Sequence, residues 1–162
     1  MYSARYDSPV GTLLLTCTDS GLTGVYWNRE LPEQQDDHPV LTAAKQWLDR
    51  YFRGEAPETD LPLCPEGTAF RRQVWQLLLQ IPWGESRSYG SLAREMAALT
   101  GKERMSAQAI GQAVGSNPLS IIIPCHRVVG AKGQLTGYAG GIDKKIWLLD
   151  HESRQGMIKL EE

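Results

Sequence analysis

The sequence predicts an α/β N-terminal domain, a small antiparallel sheet plus a helix, followed by an all-α C-terminal domain with a helix-turn-helix outline. Three observations carry this. β-prone stretches alternate with turn residues over the first thirty positions, and apolar residues recur at helical spacing further on. Between these regions, residues 54–67 hold three prolines, two glycines and several acids, which marks a boundary. The domains are placed at 1–60 and 61–162.

Taken in order, strands are expected near 2–6, 12–17 and 22–27, separated by Asp7-Ser8-Pro9-Val10-Gly11 and Asp19-Ser20-Gly21. Residues 28–40 are polar and read as loop. From 42 to 52, Ala44, Trp47, Leu48 and Tyr51 keep helical spacing. Past the boundary, Phe70, Val74, Trp75, Leu77, Leu78 and Ile81 predict an amphipathic helix ended by Pro82. A second helix is expected over 89–98, a turn over 99–105 and a third helix over 106–114, with Ser106 as N-cap. That helix pair is the helix-turn-helix outline. Its second member is rich in small residues: Ala107, Ala109, Gly111, Ala113, Gly115. Such a helix suits close packing on a neighbouring helix or close approach to a DNA groove, and packing is the simpler of the two.

Composition narrows the class. A chain of 162 residues with 41% hydrophobic and 22% charged residues suits a folded protein of one domain or two small ones. No apolar run reaches the roughly 18 residues of a membrane span, and the N-terminus lacks a secretory pattern. Three cysteines, Cys17, Cys64 and Cys125, give no disulfide framework, so a reduced, cytoplasmic protein is expected. The net charge of −2 conceals an asymmetry. Residues 1–65 carry five Lys/Arg against ten Asp/Glu, and residues 66–162 twelve against nine. A cationic half beside an anionic one suggests a face that meets something negative.

The chemistry should sit in the segment 117–130. The largely apolar run 119–123 reads as a buried strand, and Pro124 fits the first turn of a helix. Cys125 would then lie near a helix N-terminus, where thiolate is favoured and the thiol is a candidate nucleophile. Cys17 and Cys64 read as inert structural thiols. Sequence neighbours point in different directions, so His126 would act on Cys125 through a bridging water as general base. That base needs an orienting acceptor; Glu152, Asp143 and Glu161 all fit by spacing. Gly137-Tyr138-Ala139-Gly140-Gly141 lacks the spacing of a phosphate loop or a dinucleotide fold and reads as an active-site wall. No metal-ligand spacing and no cofactor motif appears.

Pro124-Cys125-His126-Arg127-Val128-Val129, preceded by Gly115-Ser116-Asn117-Pro118 and followed by Gly137-Tyr138-Ala139-Gly140-Gly141, resembles the O6-alkylguanine-DNA alkyltransferase family. Further matches are Phe70-Arg71-Arg72-Gln73-Val74-Trp75, Ile81-Pro82-Trp83-Gly84-Glu85, Ser88-Tyr89-Gly90, Lys145-Ile146-Trp147-Leu148-Leu149-Asp150-His151-Glu152 and the N-terminal Ser8-Pro9-Val10-Gly11-Thr12-Leu13. The resemblance spans nearly the whole chain. It implies a ribonuclease-H-like N-terminal domain and repair of O6-alkylguanine, and O4-methylthymine, in double-stranded DNA. The damaged nucleotide would be flipped into a pocket and its alkyl group passed to Cys125 in a single irreversible turnover. It further implies His126 as base through water, Glu152 as its orienter, Asn117 holding this chain, and Tyr89 protonating the leaving guanine. Val128 (through its carbonyl), Tyr138 and Ala139 would complete the base pocket. Gly90, Ser106, Ala107, Gln108, Ala109, Gly111 and Arg127 would face the DNA, with the small-residue helix in the minor groove rather than packed inside. No cofactor, no membrane and no obligate protein partner is expected, and the protein should be a monomer.

Two departures from the family pattern stand out. Gln108 falls where the family typically has an intercalating arginine, and the connection 96–105 is longer. The rival functions are an alkyltransferase-like damage sensor that binds without transfer, a Cys-His-acid thiol hydrolase, and a plain helix-turn-helix regulator. The presence of Cys125 argues against the first, its adjacency to His126 against the second, and the 124–127 segment, which a plain regulator would leave idle, against the third.

Overall fold

The computed structural model describes the backbone of residues 1–161 and the side chains up to residue 153. Strands β1 (Tyr2–Ser8), β2 (Gly11–Thr18) and β3 (Gly21–Trp27) form one antiparallel sheet in the order β1-β2-β3. Two-residue loops join Ser8 to Gly11 and Thr18 to Gly21, both paired across the strand ends. Such tight loops fix register, so the alternation places Ala4, Leu13, Leu15 and Cys17 in the core. Helix α1 (Pro39–Phe52) starts three residues earlier than its apolar pattern suggests, because His38 caps it and Pro39 fits its first position. Its buried stripe is Val40, Leu41, Ala44, Trp47, Leu48 and Tyr51.

Further along the chain come α2 (Ala69–Leu78), α3 (Tyr89–Thr100), α4 (Ala107–Gly115) and α5 (Ile142–Glu161). Thr68, Ser88 and Ser106 cap α2, α3 and α4, each accepting a hydrogen bond from an amide in the first turn. Helix α2 ends at Leu78, short of the Pro82 stop, and Ile81 remains buried in the turn that follows. Helix α3 ends at Gly101, whose φ of +71° suits the left-handed cap. Helix α4 packs on both α2 and α3, and Trp75 Nε1 donates to the Ala113 carbonyl at 2.8 Å, fastening α2 to the last turn of α4.

The chain divides into two compact units: Met1–Glu66 with Pro118–Ile122, and Gly67–Asn117 with Ile123 onward. A single cut in the sequence does not anticipate the return of Pro118–Ile122 to the first unit, where Val25 N donates to Pro118 O at 2.8 Å. The second unit is not all helical. Strand β4 (Arg87–Ser88) pairs in parallel with β5 (Val128–Val129). Two-residue strands carry no periodic signal, so only the chain's return next to residues 87–88 reveals them. The run 119–123 is also not a strand. Only Leu119 bridges to Val25, and the chain then turns about Ile121, which has φ +72° with Ile122 N donating to Ser120 O at 2.8 Å. That is a γ-turn centred on a β-branched residue, a strained geometry that costs on the order of 1–3 kcal/mol and persists because its surroundings are buried. Among the described residues, no helix is long and apolar enough to cross a membrane.

Candidate active site

A second turn delivers Cys125. Pro124 has φ −79° and ψ 63°, and Cys125 N donates to Ile123 O at 2.7 Å, an inverse γ-turn. Residues Cys125–Arg127 then form one 3-10 turn. This corrects the helix-N-terminus reading of the sequence: a three-residue turn sums too few peptide dipoles to favour a thiolate. Burial instead pushes the Cys125 thiol pKa up; the Asn117 side chain, the Lys145 charge and nearby backbone amides oppose that shift without reversing it. The resting group is a thiol, and its proton must be removed before it can attack.

The neighbour on the turn is equipped for that. His126 is fully buried, and burial lowers its pKa, so its imidazole is neutral and able to accept a proton. Its Nε2 lies 2.6 Å from Glu152 Oε2. Burial alone would raise the Glu152 pKa, but the hydrogen bond from His126 and then the hydrogen bonds and charge of Arg127 hold it at about 2. An ionised carboxylate only accepts, so Nε2 carries the hydrogen and Nδ1 becomes the basic nitrogen. Of the three acids that fit by spacing, α5 therefore presents Glu152. Asp143 is exposed on the first turn of that helix, and the Glu161 side chain lies outside the described residues.

Arg127 departs from its expected place on DNA. Its side chain is nearly buried; Nε and Nη2 donate to Glu152 at 2.8 and 3.2 Å, and Nη1 donates to the Ile81 carbonyl at 2.6 Å. The planar guanidinium fork matches the carboxylate, so its charge is directed inward, where it keeps Glu152 ionised.

Asn117, at the end of α4, donates from Nδ2 to Ile123 O at 2.9 Å and reaches the thiol, bracing the turn from which Cys125 projects. The thiol opens on a cavity of about 250 Å³ lined by Tyr89, Gly111, Val114, Gly115, Asn117, Cys125, Gly137, Tyr138 and Ala139. Tyr138 presents its ring edge-on to His126 at 6.4 Å between centroids. The Val128 carbonyl accepts a 2.7 Å hydrogen bond from Lys145 Nζ and retains a second lone pair.

On α4, Ala107 and Gln108 are exposed, and Ala109 and Gly111 are half-buried. Ser106 Oγ accepts from Ala109 N at 3.2 Å as the cap, and Gly90 sits beside Arg94 on α3. The small residues of α4 are not all explained by internal packing. A Cβ at Gly111 would meet only Tyr89 Cε1, at 4.0 Å, and a Cβ at Gly115 would meet nothing within 4 Å. The packing reading is therefore overturned at these two positions. Sequence reasoning missed Lys145, which is completely buried. Its signal was available: Lys145, Leu148 and Glu152 share one face of α5 at helical spacing.

This arrangement joins a buried thiol, a neutral imidazole paired with a carboxylate, and a cavity of about 250 Å³ on which the thiol opens. Residues 1–65 and 69–154 match the ribonuclease-like domain and the DNA binding domain of 6-O-methylguanine DNA methyltransferase, and the chain belongs to that family. It is 41% identical to the methylated-DNA–protein-cysteine methyltransferase of Methanosarcina acetivorans, with 94% of this chain and 98% of that protein covered. The enzyme of the same description from Haemophilus influenzae is 40% identical, over 94% and 86% of the two chains. Among solved structures, Mycobacterium tuberculosis OGT in complex with DNA superposes with a TM-score of 0.83 at 41% identity, covering 96% of this chain and 94% of that one.

Proposed function

We propose that this protein is a cytoplasmic, monomeric DNA repair methyltransferase that moves an alkyl group from O6-alkylguanine, or O4-methylthymine, in duplex DNA onto Cys125, once per molecule. The observation that carries the reading is the Glu152–His126 pair set beside a buried thiol that opens on a cavity of about 250 Å³. The damaged base leaves the stack and enters this cavity. The Cys125 proton passes through a bridging water to His126 Nδ1, and the imidazolium formed is stabilised by Glu152. The sulfur attacks the alkyl carbon in line, the S–C bond forms, and the C–O6 bond breaks. Tyr89 gives its hydroxyl proton to the departing guanine, and the proton held by the His126 imidazolium returns to the Tyr89 phenolate through water, so neutral guanine, a thioether and neutral side chains result. Val128 (through its carbonyl), Tyr138 and Ala139 hold the base.

The two units serve as a ribonuclease-H-like α/β domain, over about 1–60, and a DNA-binding, alkyl-accepting domain beyond it. Helices α3 and α4 act as a helix-turn-helix whose α4 enters the minor groove. Ala107, Gln108, Ala109 and Gly111 face the DNA, with Ser106 and Gly90 at the rim. An open groove whose charged lining is Arg94, Lys102 and Arg104 against Glu103, a net positive set, lies beside them and suits the phosphate backbone.

The decisive experiment is intact-protein mass after mixing with excess duplex DNA bearing one O6-methylguanine. One added methyl group, mapped to Cys125 and absent in Cys125→Ser, is expected. Unmodified protein that still shifts the damaged duplex in a gel would overturn the transfer reading in favour of a damage sensor, with Gln108 the first residue to examine.

A further inference from the structure

We propose that Thr136 and Lys145 are positioning residues that aim the Tyr89 hydroxyl proton into the base cavity, so that Tyr89 meets the base as a donor. This rests on the alkyl-transfer reading above and adds two residues to it. Lys145 is completely buried on α5, and its Nζ donates to Val128 O at 2.7 Å and to Thr136 Oγ1 at 3.4 Å. Thr136 Oγ1 in turn shares a 3.0 Å hydrogen bond with the Tyr89 hydroxyl. Taken alone, that last pair has no direction, since either hydroxyl can donate. Lys145 supplies it.

An ammonium has three donors and no acceptor. Thr136 Oγ1 therefore accepts from Lys145 with one lone pair, and in the proposed arrangement its own proton, turned away from the cation, goes to the Tyr89 oxygen. The tyrosine oxygen becomes the acceptor of that bond, and its own proton turns away from Thr136. Tyr89 lines the cavity that holds Cys125, and the proposed arrangement directs that proton into it. A chain of hydrogen bonds that begins at a cation also polarises each member and strengthens the terminal donor. The same ammonium holds the Val128 carbonyl. One buried cation thus orders an acceptor and a donor of the base pocket together, although burial opposes its charge.

The test is single-turnover methyl transfer to the full-length protein, using duplex DNA with one O6-methylguanine. Thr136→Val keeps the shape and removes the hydroxyl, and Thr136→Ser restores it. Thr136→Val should slow transfer by about 5- to 10-fold, the rate equivalent of one hydrogen bond, and Thr136→Ser should recover the rate to within about twofold. In a Tyr89→Phe background, Thr136→Val should change nothing further, because the group it orients is gone. Binding of the damaged duplex in a Cys125→Ser background should be unchanged by Thr136→Val. Wild-type speed in Thr136→Val, a Thr136→Ser variant as slow as Thr136→Val, or multiplying effects of Thr136→Val and Tyr89→Phe would each overturn the relay while leaving alkyl transfer intact. Absence of any methyl on the wild-type protein would instead remove the reading on which the relay rests.

Discussion

Gly111 separates the two explanations for the small residues of α4 by giving them opposite signs. It lies mid-helix, it is not among the positive-φ glycines, and a methyl group added there would touch only Tyr89 Cε1 at the ordinary contact distance of 4.0 Å. Within the protein, Gly111→Ala therefore removes backbone freedom from the unfolded chain without a clash, and should stabilise by about 1 kcal/mol. For a chain of this size that raises Tm by roughly 2–4 °C. Outside the protein the sign reverses. Gly111 shares a helix face with Gln108 and Gly115, and a face that enters a minor groove about 6 Å wide has no room for an added methyl group. Binding to a damaged duplex, measured by anisotropy in a Cys125→Ser background, should weaken about 10-fold, a loss of about 1.4 kcal/mol. A variant that is more stable yet binds as tightly as the parent would refute the assignment of this face to DNA. A fall in Tm would restore the packing reading.

Two further outcomes follow from the same geometry. Gln108→Arg adds a cation to the exposed first turn of α4, so affinity for the damaged duplex should rise and the dependence of log K on log salt should steepen by about 0.9; unchanged affinity and slope would place Gln108 off the DNA. Glu152→Gln leaves the Arg127 guanidinium buried without its carboxylate, and should cost about 3–5 kcal/mol of stability and slow transfer about 100-fold. Acid stability carries a related signature. The Glu152 pKa is lowered from 4.5 to about 2, so its contribution is present above pH 4.5 and is lost as pH falls toward 2. His126 is also lowered, from 6.5, so its contribution is complete above that pH and declines below it. Urea denaturation across this range should show the loss below pH 4.5 in the wild type and not in Glu152→Gln, and superimposable profiles there would contradict the assignment.

The sequence by itself determined the elements whose signals are local. Turn residues bounding β-prone runs specify the hairpins, apolar spacing together with Ser106 as a cap specifies the helices, and a motif around Cys125 carries the family resemblance. Cys125, His126 and Glu152 were legible because the motif names them, although spacing alone could not rank Glu152 above Asp143 or Glu161. Tertiary structure decided what depends on partners distant along the chain. Only the folded unit shows that the chain turns at Ile121 where a run with four apolar residues suggests a strand, or that β4 meets β5. Arg127, which the family resemblance implies as a DNA contact, turns inward because Glu152 and the Ile81 carbonyl together fit its donors, and both lie at least 25 residues away. The thiol is protonated for the same reason. Its pKa follows burial among neighbours drawn from several elements, not the helix end that the local sequence implies. Lys145 and Thr136 acquire a role only because α5 and the 130–141 loop converge on Tyr89. Local propensity sets elements, whereas burial, charge pairing and proton direction are properties of the packed unit.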